Sequence, residues 1–159
     1  MRVLVIATHN PKKAGEMAAI LAASLPHLVI KTLDDYPDAQ EPDETGGNYC
    51  ENALIKARCA AAHTGEWSLA DDAGLEIDAM PGDLGVQSKR FAGDTTFEQK
   101  MDIVLEEMRE VPEVRRTARF RCCIALVGPS DEELTIEDTC EGRIALEPSG
   151  RGGFGYDPI

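Results

Sequence analysis

Asp71 and Asp72 lie side by side between an apolar stretch and Gly74, a pattern that places the pair at a strand end beside a tight turn. Adjacent carboxylates repel, and a hard divalent cation relieves the repulsion, since Mg²⁺ takes oxygen ligands and is commonly held by one or two carboxylates plus substrate phosphates. One of the pair could also orient or deprotonate a water for attack at phosphorus. In isolation the pair reads equally well as turn aspartates accepting local backbone hydrogen bonds.

A second group lies near the N-terminus, in Thr8-His9-Asn10-Pro11-Lys12-Lys13. Asn10 can cap a helix and Pro11 can occupy its first position, so unpaired backbone N–H groups and the positive dipole end are presented together. Lys13 falls in the first turn, and Thr8 and Asn10 add side-chain hydrogen bonds, which outlines a phosphate site. A capped helix with surface lysines fits the same residues and is the commoner arrangement. Between Asp34 and Glu44, six of eleven residues are acidic and none basic. Such a run is normally solvated loop, with Glu44 as a possible second carboxylate. Lys56 falls beside the small-residue face of an alanine-rich segment, where a solvent-facing lysine is the default.

Near the end of the chain stands Gly152-Gly153-Phe154-Gly155-Tyr156-Asp157-Pro158. Its glycines let backbone approach a ligand, Phe154 offers a face for a base, and Asp157 offers an acceptor for a ring N–H or a hydroxyl. A glycine-rich turn with an aromatic plug in the core is the equal alternative. Covalent catalysis has no support: His9, His27 and His63 lack metal-ligand spacing, and no serine or cysteine has the surroundings of a nucleophile elbow.

Residues 2 to 7 form an apolar, β-branched run suited to a strand covered on both faces. A helix follows from Pro11 to Pro26, then a strand over 28–33, a helix over 48–63 with Gly65 as its stop, and two short extended pieces around Gly74 within Leu69–Met80. Phe97, Met101, Val104, Leu105 and Met108 mark an amphipathic helix. Residues 117–127 and 134–146, joined by Gly128-Pro129-Ser130-Asp131, read as an antiparallel hairpin. Without repeat or linker, these elements imply one α/β domain over 1–159, with helices against a mixed sheet.

Twenty-nine acidic residues against 16 basic give a formal charge of −13, which repels a nucleic-acid backbone and confines any anionic ligand to local positive groups. No apolar run approaches the roughly 20 residues needed to cross a bilayer. Five cysteines without CxxC spacing suggest neither a disulfide framework nor a zinc site, and Cys122 and Cys123 read as buried small hydrophobes, so a reducing cytoplasm fits.

Together, Thr8-x-Asn10-x-x-Lys13, Glu51-Asn52-Ala53-x-x-Lys56-Ala57, Ala70-Asp71-Asp72-x-Gly74-Leu75, Ser88-x-Arg90-Phe91-x-Gly93 and Gly153-Phe154-Gly155-Tyr156-Asp157-Pro158 closely resemble the HAM1 family in order and spacing. This is the family of non-standard purine nucleoside triphosphate pyrophosphatases. The resemblance implies hydrolysis of ITP, dITP or XTP to the monophosphate and pyrophosphate, with Mg²⁺ as cofactor. It further implies a mixed, strongly twisted sheet in two lobes around a deep cleft, and a homodimer. Carried over by residue, Thr8, His9, Asn10, Lys12, Lys13 and Lys56 become triphosphate contacts. Glu44 and Asp72 become metal ligands, with Asp72 also activating water. Phe154 becomes the stacking ring, and Gly155, Tyr156 and Asp157 line the nucleotide pocket. Where many members carry serine this chain has Ala73, leaving a backbone N–H for the substrate. The family pattern continues past Asp157-Pro158 with a lysine and a Ser-His-Arg motif, so the chain reads as that domain without its C-terminal segment. Two other readings stay open: a Maf-type pyrophosphatase with another nucleotide preference, and a non-catalytic purine nucleotide-binding module.

Overall fold

A computed structural model describes residues 2–130, 132–150 and 152–159. Asp131 of the expected hairpin turn and Arg151 of the glycine-rich motif lie outside the described residues. Eight principal elements follow in chain order: β1 (Val3–Ile6), α1 (Pro11–Ser24), β2 (Val29–Thr32), α2 (Tyr49–Thr64), β3 (Trp67–Ile77), α3 (Phe97–Glu107), β4 (Thr117–Val127) and β5 (Glu133–Arg143). The sheet order is β2-β1-β3-β4-β5. β1 runs parallel to both neighbours, pairing Val5 with Lys31 on one side and with Ser68 on the other. Parallel neighbours need long crossovers, which α1 and α2 supply. β3 and β4 are antiparallel: Asp78 N–H donates to Thr117 C=O at one end, and Trp67 lies against Gly128 at the other. β4 and β5 are sheet neighbours joined by five residues, a connection short enough only for an antiparallel pair. The architecture is therefore the α/β fold with a mixed sheet that the sequence indicates.

The chain divides into two compact units. The first comprises Met1–Asp72 and Cys123–Glu137. Its core sets Val5, Ala7, Ala70, Ala125 and Val127 from the strands against Ala53, Ala57, Ala60 and Ala61 of α2. Small side chains on that helix face let its backbone approach the sheet closely, so the polar residues beside the alanine stripe reach only as far as the strand they cover. The second unit comprises Ala73–Cys122 and Asp138–Ile159. Met101, Val104 and Met108, spaced along one face of α3, pack with Leu75, Ile77, Leu84, Ala118, Ile144 and Tyr156. Its start is fixed by a reciprocal cap between Thr96 and Gln99.

Two expectations are corrected. Leu69–Met80 does not fold as two pieces around a turn: β3 runs unbroken through Gly74, and the aspartate pair lies inside the strand. Gly74 serves close approach instead, because a Cβ there would collide with the Gly85 carbonyl. Leu75 N–H donates to Ser88 Oγ at 3.0 Å, which keeps the 85–88 segment against the strand. The second correction is a disulfide between Cys50 and Cys123, with Cα atoms 5.1 Å apart across 73 residues of sequence. Cys50 is the second residue of α2 and Cys123 lies within β4, so their proximity comes from docking the helix on the sheet, which spacing along the chain does not reveal. Cys123 is fully buried as expected, but as a cystine half.

Candidate active site

The site in the first unit begins where β1 gives way to α1. Ala7 N–H donates to Leu69 C=O at 2.7 Å, extending the sheet by one residue before the turn. Thr8 Oγ1 accepts from Asn10 N–H, and Asn10 Oδ1 accepts from the Lys12 and Lys13 amides at 3.0 and 3.3 Å, with Pro11 at the first helical position. The cap is thus the expected one. His9 and Lys12 are exposed, whereas Lys13 turns inward and donates through Nζ to Asp71 Oδ2 at 2.5 Å.

Successive strand residues point to opposite faces, so the two aspartates of β3 part company. Asp71 meets Lys13, while Asp72 meets α2. There Lys56 Nζ lies 2.9 Å from Glu44 Oε1 and 3.3 Å from Asp72 Oδ1, with the three side chains only 13–17 % exposed. The second carboxylate facing the Asp72 position is therefore Glu44, supplied by the acidic loop, and Lys56 is held between them rather than directed to solvent. Asn52, one helical turn before Lys56 and on the same face, donates through Nδ2 to Asp72 Oδ2 at 3.1 Å. Both oxygens of Asp72 consequently have donors. Asn52 stood in the sequence motif without a role; its signal was an amide four residues before a lysine on a buried helix face.

Burial pushes the Asp72 carboxyl above its ordinary range, and the attraction of Lys56 and the Asn52 hydrogen bond offset this only in part, while Glu44 adds to the rise. Burial pulls the Lys56 ammonium down, but the carboxylates of Asp72 and Glu44 outweigh it and the net shift is upward. Lys56 is thus firmly cationic, and Asp72 is a carboxylate of raised basicity.

Three carboxylates, Glu44, Asp71 and Asp72, thus meet two ammonium groups, Lys13 and Lys56. Among the described residues no group of three or more histidine, cysteine or acidic side chains converges on one point. The donor set is instead a pair of desolvated carboxylates already sharing one cation. That pair suits a hard divalent ion completing its shell with water or ligand oxygens.

The glycine-rich motif belongs to the second unit. Phe154 is half-buried; its N–H donates to Asp157 Oδ2 at 2.8 Å, so the aspartate closes the turn it ends. Gly153 has φ +75°, and a Cβ there would strike that same carboxylate. Tyr156 is buried, packs edge-on against Phe97 with ring centroids 5.4 Å apart, and donates its hydroxyl to Ser88 C=O at 2.9 Å. Burial pushes its pKa up to about 12. Tyr156 is therefore the aromatic plug and Phe154 the more accessible ring. Ala73 is exposed.

A profile of the Ham1 family matches residues 4–159. The chain belongs to the Ham1 family. Among curated relatives of this Ham1 chain, the dITP/XTP pyrophosphatase of Exiguobacterium sp. is 48% identical over 157 residues, covering 98% of this chain and 78% of the relative. That of Halalkalibacterium halodurans is 46% identical, covering 100% and 81%. Among solved structures, the HAM1 protein of Coxiella burnetii superposes with a TM-score of 0.86 at 39% identity, over 100% of this chain and 81% of that one. The dITP/XTP pyrophosphatase of Mycobacterium abscessus gives 0.76 at 40%, over 99% and 80%.

Proposed function

We propose that this Ham1 chain is a nucleoside triphosphate pyrophosphatase that hydrolyses non-standard purine nucleotides such as dITP and XTP to the monophosphate and pyrophosphate. The observation that carries the proposal is Lys56 held between Glu44 and Asp72, beside a capped helix start whose Lys13 is held by Asp71. Phosphate-binding cations and metal-binding carboxylates interleave there, which is the equipment that phosphoryl chemistry requires, since its catalysis is mainly positioning and charge stabilisation. The relatives named dITP/XTP pyrophosphatase support the substrate class.

Glu44 and Asp72 would hold Mg²⁺, which when bound would neutralise phosphate charge and lower the pKa of a coordinated water. Asp72 takes the proton of the attacking water as oxygen adds to the α-phosphorus and the bond to the bridging β-phosphate oxygen breaks. Lys13 and Lys56 leave their carboxylates for the triphosphate, with Thr8, His9, Asn10 and Lys12 supplying further contacts. Phe154 stacks on the base, with Gly155, Tyr156 and Asp157 shaping its surroundings and the Ala73 amide donating to substrate. The protein works as a homodimer. Among the described residues no helix is long and apolar enough to cross a membrane.

Incubation of the purified protein with dITP, XTP, dGTP and ATP, with and without Mg²⁺, tests the proposal by chromatography of the products. The expected result is Mg²⁺-dependent release of pyrophosphate and monophosphate, fastest from dITP or XTP. Release of orthophosphate and a diphosphate, or no turnover of any of the four, would overturn it.

A further inference from the structure

We infer that Asn52 is a positioning residue that sets the distance between the two carboxylates proposed to hold the metal. The inference rests on the assignment of Glu44 and Asp72 as that pair. Asn52 is 1 % exposed, and its amide is engaged at both ends. Nδ2 donates to Asp72 Oδ2 at 3.1 Å, and Oδ1 accepts from the Gly46 N–H at 2.8 Å. Gly46 is two residues from Glu44 on the loop that delivers it. One amide group thus clamps the strand carrying one carboxylate to the loop carrying the other, with α2 as the rigid base of the clamp.

The glycine supplies independent support for this role. A Cβ at residue 46 would lie 2.6 Å from Asn52 Oδ1, 2.7 Å from Glu51 Cβ and 2.9 Å from the Asn52 backbone nitrogen. The loop backbone therefore approaches the Asn52 amide more closely than any side chain allows. Gly47 N–H, next along, donates to Glu51 Oε2 at 2.7 Å, so the approach is held by two consecutive hydrogen bonds from loop to helix. An amide suits the position because its nitrogen donates to a carboxylate while its separate oxygen accepts from a backbone N–H; aspartate would keep the second bond and set a like charge against Asp72. Partners that orient metal ligands in this way typically contribute about 10- to 100-fold to metal affinity.

The test uses Asn52→Ala and Gly46→Ala, the second leaving the asparagine intact and displacing the loop from it. Binding of Mn²⁺ to the nucleotide-free protein is measured by electron paramagnetic resonance or calorimetry, turnover is titrated with Mg²⁺, and circular dichroism reports folding. Each variant should bind Mn²⁺ about 10- to 100-fold more weakly and need correspondingly more Mg²⁺ for half-maximal rate, with kcat at saturating Mg²⁺ recovering most of its value. If Asn52→Ala fails to fold, Gly46→Ala alone decides. Unchanged Mn²⁺ affinity in the folded variants, or a kcat loss that saturating Mg²⁺ does not recover, overturns the inference. Asp72→Asn, measured in parallel, separates the two ideas. If it abolishes Mn²⁺ binding while the Asn52 and Gly46 variants bind normally, the metal assignment stands and the positioning role falls; if it too binds normally, the metal assignment itself is wrong.

Discussion

Both units enclose cations, and they hold them differently. In the first, the Lys56 ammonium lies between Glu44 and Asp72, and Lys13 rests on Asp71. In the second, the Lys100 ammonium donates to the backbone carbonyls of Lys89, Phe91 and Gly93, and the Arg116 guanidinium to those of Met108, Ile144 and Ala145. Lys100 and Arg116 are 3 % and 2 % exposed, as buried as any functional residue. Carbonyls belong to the fold and cannot leave, so these two cations tie segments together: Lys100 gathers the 89–93 loop, and Arg116 joins the end of α3 to residues 144–145. Carboxylates can exchange a lysine for a metal ion, and the lysine can exchange a carboxylate for a phosphate. The partner's chemistry separates a cation that builds the protein from one positioned to act.

The largest test of this contrast is Asp72→Asn. The amide keeps the shape and a contact to Asn52, while removing the proposed base and half of the proposed metal pair. Turnover should fall at least about 100-fold with the melting temperature little changed. Wild-type rates of pyrophosphate release would show that the charged cluster is structural after all.

Next in size is a pair of substitutions whose effects should differ in kind. Lys56→Ala should weaken triphosphate binding by roughly 10- to 100-fold, the loss of a charge-assisted hydrogen bond, and leave monophosphate binding nearly unchanged. It also leaves Glu44 and Asp72 facing one another, so Mg²⁺ should raise its melting temperature more than it raises that of wild type. Arg116→Met strands three carbonyls and should cost about 3 kcal/mol, roughly 6 to 12 °C in melting temperature, with no recovery on adding Mg²⁺ and normal affinity in the folded fraction. Equal Mg²⁺ responses in the two variants would erase the distinction between exchangeable and fixed partners.

The smallest expected effect concerns Tyr156. Its folded pKa, about 12, lies above the ordinary value of 10, so between those limits the folded state keeps a proton that the unfolded chain releases. Its contribution to stability is complete below about pH 10 and is lost as pH rises toward 12. Phenolate absorbance should accordingly show a late-titrating tyrosine that disappears in Tyr156→Phe; loss of amplitude near pH 10 instead, with the late phase intact, would place the ring in a wetter setting.

Local signals in the sequence were enough for much of this. The Asn10-Pro11 cap, the Gly65 stop and the apolar spacing of α3 each act within a few residues, and each element formed where its own residues directed it. Sequence alone misplaced what depends on close approach between distant segments. Gly74 read as a turn because a glycine in an alternating run usually marks one, whereas the cause is the Gly85 carbonyl eleven residues on. The Cys50–Cys123 bond, the Asn52 clamp and the caging of Lys100 and Arg116 likewise exist only once helices have docked on strands. In the charged cluster the residue types were readable but the pairing was not, because adjacency of Asp71 and Asp72 in sequence becomes separation across a strand.

On the proposed reading, once pyrophosphate has been cut from the nucleotide, Asp71 and Glu44 still stand beside the lysines that gripped it. Tethered to the same fold, they compete for those ammonium groups at an effective concentration no free anion in the cell approaches. A triphosphate carries enough charge to win that competition; a monophosphate and a detached pyrophosphate, each with part of it, are less able to hold their places. The ion pairs that occupy the resting site would then serve as built-in displacers, shortening the dwell of products while setting a floor beneath which substrate affinity cannot be driven.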